Sequence, residues 1–201
     1  MQNIQLKNPI KKEVVALPKI KSIGIIGSCT ISYQKAELIG HITEEILEKG
    51  YHLASGGAIG VDQFVVERLL RIGRSENCTI YSAWKSYYGF PIKVRAMTRQ
   101  FKQYGGSIIW GPSSGKEPQS LVRTALLMRN DKLVDACHGI VAFIDTHSRG
   151  TIYTIKKAAQ KHLTMVVFPF DCELPELPNI KWTPLKCGGY WEGSYKATYL
   201  R

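Results

Sequence analysis

Residues 53–63 read LASGGAIGVDQ, with glycines at 56, 57 and 60 between a short apolar run and a helical pattern. Each glycine in an ordered element costs ~0.5–1 kcal/mol relative to alanine. Three so close together imply either a turn that needs positive φ or a backbone that a ligand approaches closely. Gly57→Val separates the two: loss of ligand binding with the fold intact marks a ligand glycine, and unfolding marks a turn glycine.

The neighbouring sequence sets this loop in a repeating pattern. SIGIIGSC (22–29) and HLAS (52–55) read as short buried strands. Between them, KAELIGHITEEILEK (35–49) places Leu38, Ile39, Ile42, Ile46 and Leu47 at helical spacing, with Gly50 as a stop. GVDQFVVERLLRIG (60–73) repeats that design. Further strands are expected at NCTIYSA (77–83), SIIWG (107–111), GIVAFI (139–144) and TMVVFPF (164–170), and further helices at 118–137 and 150–162. Continuous apolar strands alternating with amphipathic helices predict an α/β fold, a parallel sheet covered on both faces. Residues 1–19 read as a basic arm, 20–170 as the domain, and 171–201 as a strap or hairpin rich in proline and aromatics.

Composition narrows the function. Lys and Arg outnumber Asp and Glu by 27 to 16, a net charge of +11, which favours phosphate-bearing partners. No apolar run approaches the ~18 residues of a membrane span, and MQNIQLKNPIKKEVV lacks the apolar core of a signal peptide. A cytoplasmic protein without membrane contact is expected. Five scattered cysteines without a C-x-x-C pair read as reduced thiols, and no histidine spacing suggests a metal. No cofactor is expected.

In open α/β sheets, ligands bind beyond the carboxyl ends of the strands. Three small, hydroxyl-rich loops are expected there: GSCTIS (27–32), SGGAIGVD (55–62) and DTHSRGT (145–151). Each precedes a helix, whose free N–H groups and dipole favour an anion. Ordinary βα turns use the same residues, so one loop alone would say little. The order is not G-x-G-x-x-G, which argues against a dinucleotide site. GPSSGK (111–116) is one residue short of a triphosphate-binding loop, and Glu117 stands where a metal-binding hydroxyl belongs. Asp62, in a first helical turn, suits a cap, an orienter of the glycine loop or a sugar contact. Arg129 can hold phosphate through two parallel hydrogen bonds. The stretch 84–104 interleaves Lys85, Lys93, Arg95, Arg99 and Lys102 with Trp84, Tyr87, Tyr88, Phe90, Phe101 and Tyr104. It reads as a solvated insertion whose aromatics could stack bases, with Trp84, Lys85 and Arg95 as candidate base or backbone contacts.

These motifs, in order, resemble the DNA-processing protein A family. The likeness rests on IGIIGS, SGGAIGVD, GGSIIWGPSSGKEP, RN, SRGT, IKKAA and MVVFP, and covers roughly residues 20–170. That family mediates recombinase loading onto single-stranded DNA and belongs to the SLOG superfamily of nucleotide-binding domains. The resemblance implies a Rossmann-like three-layer α/β/α fold with a mostly parallel sheet of about six or more strands, and a homo-oligomer, a dimer. It carries the pocket onto Gly27, Ser28, Ser55, Gly56, Gly57, Gly60, Asp62, Arg129, Asn130, Ser148, Gly150 and Thr151. Cys29, Ala58 and Arg149 lie within the same segments. Three departures stand out: Asp131 where a second arginine is usual, Cys29 where a basic residue is common, and Trp110-Gly111 in place of Ser-Glu. A weaker similarity links SRGTIYT to the Lonely-guy phosphoribohydrolases, but Thr154 replaces their catalytic glutamate. A hydroxyl cannot supply carboxylate acid–base chemistry, and the reading leans against an enzyme.

The expected function is therefore binding of a phosphate-bearing nucleotide or nucleotide-derived signalling ligand, as a sensor or sequestering protein without turnover. The alternative is a single-stranded DNA-binding recombination mediator. A third reading is a nucleotide N-glycosidic hydrolase.

Overall fold

The computed structural model describes residues 21–200. The arm expected at 1–19 lies outside the described residues. Each apolar run lies in one eight-stranded sheet. Along the chain come β1 (Ser22–Gly27), α1 (Ala36–Glu48), β2 (His52–Ser55), α2 (Val61–Arg71), β3 (Cys78–Tyr81), α3 (Ile92–Gln103) and β4 (Ser107–Ile109). They are followed by α4 (Gln119–Ala136), β5 (Gly139–Ile144), α5 (Arg149–Gln160), β6 (Thr164–Pro169), β7 (Ile180–Pro184) and β8 (Tyr195–Tyr199). The strand order is β4-β3-β2-β1-β5-β6-β8-β7. The first six in that order are parallel. β8 runs antiparallel to both β6 and β7, so residues after 170 continue the same sheet as a hairpin.

Side chains alternate across the sheet, as a period of two requires. Ile25, Val141, Phe143 and Phe168 join one core with Ile39 and Ile42 of α1, Val65 and Leu69 of α2, and Val94 and Phe101 of α3. Ile26, Ile140, Ala142 and Val167 join the opposite core with Leu133 and Val134 of α4 and Ile155 and Ala158 of α5. Helices cover both faces, which makes the three-layer α/β/α architecture. All six residues of β5, the central strand, are buried.

The stretch 84–104 departs from the insertion expected of it. Residues 92–103 form α3, which packs on α2's side of the sheet and buries Val94, Thr98 and Phe101. Those positions follow helical spacing, but only one narrow stripe is apolar and the cations between mask it. α4 is also atypical. Its eighteen residues span ~27 Å, longer than the ~20 Å of a six-residue strand. Only Ala125, Leu133 and Val134 of it are buried.

The direction of the sheet order reverses at β1. From there the chain proceeds outward to β2, β3 and β4, then returns through α4 to β5 on β1's other side. At such a switch point the chain leaves the two strands toward opposite faces of the sheet, and a crevice lies beyond their carboxyl ends.

Candidate functional site

The three loops singled out in the sequence converge at this crevice. The turn after β1 is anchored by the Ser28 N–H, which donates to Phe143 O of β5 at 3.0 Å. Asp145, just beyond β5, ties the two exit loops together. Its carboxylate accepts from the Thr30 hydroxyl (2.7 Å), the Ser148 hydroxyl (2.9 Å) and the His147 N–H (3.0 Å). Partial burial pushes this carboxyl up, but the hydrogen bonds outweigh it and hold it below its ordinary value. The sequence reading passed over Asp145; its place directly after a buried strand and three residues before Ser148 was the available signal.

The glycine loop owes its composition mainly to the protein itself. Gly57 has φ +68°, and a Cβ there would lie 2.8 Å from Ile80. Gly60 has φ +86°, and its Cβ would lie 2.3 Å from Ser28 O, because the exit loops of β1 and β2 touch backbone to backbone. Gly27 faces Val61 just as closely. At these positions the required freedom is internal, the turn alternative of the Gly57→Val comparison.

Gly56 is different, because an arginine lies against it. A Cβ there would be 1.4 Å from Arg129 Nη1. Arg129 reaches down from α4 with only 11% of its side chain exposed and stands 3.6 Å from Asp62 Oδ2. Asp62 in turn accepts the Ala58 N–H at 3.1 Å, so it orients the glycine loop as well as facing the guanidinium. Burial raises the Asp62 carboxyl, while Arg129 and the loop N–H groups pull it back. Burial likewise lowers Arg129, with Asp62 opposing. Two polar atoms remain without partners among the described residues here: Arg129 Nε and Ser55 Oγ, both buried. Buried polar atoms are normally satisfied, so each orphan calls for an explanation, and a bound anion or water would supply one for Arg129.

Above this pair lies a cleft of about 480 Å³ between α4 and α5. Of the residues expected to bind phosphate, Gly27, Cys29, Ala58, Asp62, Arg129, Asn130, Ser148, Arg149, Gly150 and Thr151 line it. Ser28, Ser55, Gly56, Gly57 and Gly60 do not; Gly56 and Gly57 line the smaller cavity beside it instead. The sequence reading missed Arg123, His147 and Tyr153, which also line it together with Ile26, Leu126, Leu127 and Thr154. Three arginines line the cleft against Asp62, the one carboxylate there. At the start of α5 the Ser148 side chain makes no cap bond, and nothing lies within 4 Å of where a Gly150 Cβ would be. A smaller, mostly apolar cavity of about 210 Å³ shares Cys29, Ala58, Leu126 and Arg129 with the cleft and is bounded by Trp84 and Pro91. Lys85 and Arg95 line neither. Arg95 is spent on the loop before α3, donating to Tyr88 O and Phe90 O at 3.0 and 3.1 Å.

The unusual residues have local explanations. Asp131 accepts the Tyr153 hydroxyl at 2.9 Å and faces Lys157, so its charge joins α4 to α5. Thr154 donates its hydroxyl to Gly150 O at 3.0 Å. The GPSSGK loop already holds an anion of its own: Glu117 accepts from the Ser114 N–H, the Gly115 N–H and the Ser113 and Ser114 hydroxyls, all within 2.9 Å. Those bonds, led by the Ser114 N–H, hold the Glu117 carboxyl far below its ordinary value.

A mostly parallel sheet, covered on both faces and reversed at its first strand, is a Rossmann-like domain. The chain belongs to the DNA recombination-mediator protein A family, whose model matches residues 12–177. No curated protein matches it. Among solved structures it is similar to DNA processing protein A from Streptococcus pneumoniae, with 20% identity and a TM-score of 0.59 over 77% of this chain and 52% of that one. The chain thus spans about half that protein's length. DNA processing protein A from Helicobacter pylori, described for its single-stranded DNA binding mode, aligns at 20% identity and a TM-score of 0.56, covering 89% and 81%. The molybdenum cofactor binding protein of Rippkaea orientalis shares the fold at 13% identity and a TM-score of 0.52, covering 77% and 80%.

Proposed function

We propose that the chain binds single-stranded DNA and holds backbone phosphate in the cleft between α4 and α5. The observation that carries this reading is Arg129. It is a guanidinium sunk beside the glycine loop, 3.6 Å from Asp62, with Nε unpartnered among the described residues. Arg123 and Arg149 stand exposed on the rim, and the first turn of α5 offers its N–H groups. Family membership and the net charge of +11 support a polyanion.

A second reading, a free nucleotide or nucleotide-derived signalling ligand, is favoured by the cleft's size. About 480 Å³ falls within the ~300–1,000 Å³ of small-molecule sites. Salt separates the two. A strand contacting ~6 phosphates gives a log–log slope of about −4, against roughly −1 for a single phosphate.

The experiment is fluorescence anisotropy with labelled dT20 over a salt series, with thymidine monophosphate as competitor. Removing Arg129 alone would leave Asp62 buried without its partner, at ~3–5 kcal/mol. The double variant Asp62→Asn/Arg129→Gln removes both charges. It is expected to stay folded and to bind roughly 10–150-fold more weakly, the worth of a charge-assisted hydrogen bond at ~1.5–3 kcal/mol. Wild-type affinity in a folded double variant would refute the site.

A further inference from the structure

Residues 77–116 contain six lysines and arginines and no Asp or Glu. The fold collects this window on one end of the sheet, as β3, α3, edge strand β4 and their loops. Its aromatic rings and arginines form a continuous ladder. Trp110 meets Tyr87 edge to face at 4.9 Å between ring centres. The Arg99 guanidinium lies 5.4 Å from the centre of Tyr87 and 5.6 Å from that of Tyr88. Arg95, fixed by its two backbone carbonyls, lies 5.5 Å from Tyr88.

Cation–π contacts of this kind also brace surface loops, and that accounts for Arg95 and Arg99. It does not account for the rings left in water: Tyr88 is 73% exposed and Trp110 38%, and Ile92 at the start of α3 is exposed too. Exposed apolar surface can mark a contact site, and the excess of cations in this window, against Glu117 just past its end, favours an anionic occupant. The ladder also lies close in the chain to residues of the cavity beside the cleft. The smaller cavity begins at Arg129 and ends at Trp84 and Pro91, immediately before Tyr87 and α3.

We propose that this ladder is a base-stacking platform for single-stranded DNA, reached from the cleft by way of Trp84. The inference rests on the strand-binding reading above and extends it to a second contact. Tyr88 and Trp110 offer faces to unpaired bases, and Arg99 and the neighbouring lysines meet the phosphates. Every base has a π-face, so the platform is tolerant of sequence. Duplex DNA keeps its bases stacked inward and gains only the charge.

The test compares wild type with Tyr88→Ala, Trp110→Ala, their double and Tyr88→Phe, using dT20, dT3 and an abasic 20-mer, with thermal unfolding as the fold control. Loss of one ring is expected to weaken dT20 binding about 5–150-fold, equivalent to ~1–3 kcal/mol per stacked base. Binding of dT3 and of the abasic strand should not change, and Tyr88→Phe should match wild type. If Trp110→Ala unfolds, the more exposed Tyr88 decides alone. Unchanged dT20 affinity in Tyr88→Ala, while Asp62→Asn/Arg129→Gln loses it, overturns the platform and leaves the cleft standing. No dT20 binding by wild type overturns both.

Discussion

Gly56 and Gly57 are adjacent, yet their missing side chains answer different demands. Gly57 adopts φ +68° with Ile80 and Phe90 packed where a Cβ would go. Gly57→Ala is expected to destabilise the fold by ~1–3 kcal/mol through strain and overpacking, read as a lower Tm. Gly56 carries no such backbone requirement, and the guanidinium of Arg129 fills its space. Gly56→Ala must push Arg129 off Asp62, and it is expected to lower Tm by unpairing the buried carboxylate and to weaken ligand binding as well. Equal binding by wild type and folded Gly56→Ala would show that the seat of Arg129 is not needed. The spacing of the glycines was plain in the sequence. Which of them served a turn and which an arginine from residue 129 depended on a partner more than seventy positions away.

Helix pairing in this molecule is governed by charge as well as by apolar stripes. Arg68 of α2 is buried against α1, donating to Glu44 at 2.6 and 2.7 Å and to Glu37 at 3.1 Å. Glu37 and Glu44 of α1, which by spacing alone look solvated, therefore clamp two helices, and Glu45 accepts the Trp191 indole N–H at 2.6 Å. The Arg68 hydrogen bonds hold the Glu44 carboxyl below its ordinary value of 4.5. Its folded-state pKa is depressed, so its contribution is complete above pH 4.5 and lost as pH falls through the folded value. Thermal unfolding should show Tm declining below that pH, and Glu44→Gln should flatten the decline while lowering Tm at neutral pH. An unchanged acid limb in Glu44→Gln would place the acid sensitivity elsewhere. α3 carries the lesson in the other direction. Val94, Thr98 and Phe101 are spaced as a helix, but five cations in the surrounding stretch suggested a solvated insertion. A narrow buried stripe suffices where α2 and the sheet supply the rest of the contact.

Across the molecule, the sheet does two jobs. Its reversal at β1 opens the crevice, and its far edge is closed by the β7–β8 hairpin. Ala197 of β8 is buried in the core that holds Met165 and Val167 of β6, and Trp191 packs 5.9 Å from Phe168 between ring centres. Ending the chain at residue 170 would uncover these groups, at ~1.5–3 kcal/mol for each large side chain. The truncated protein is expected to unfold at markedly lower temperature or to aggregate in size-exclusion chromatography. A truncated form with unchanged Tm would make the hairpin an ornament of the sheet. Among the described residues, no helix is long and apolar enough to cross a membrane.

Local periodicity determined most of the elements, because continuous apolar strands and 3.6-residue helical stripes are properties of neighbours in the chain. The same locality placed three small-residue loops at strand ends, and the charge balance pointed to phosphate. Side-chain partners across long separations were not legible. Arg129 over Gly56, Asp145 joining Thr30 to Ser148, Glu117 filling the GPSSGK loop and Arg99 between Tyr87 and Tyr88 depend on how the elements are stacked. Stacking is settled by packing and burial over the whole molecule, and only there does a cation become buried or a glycine become a seat.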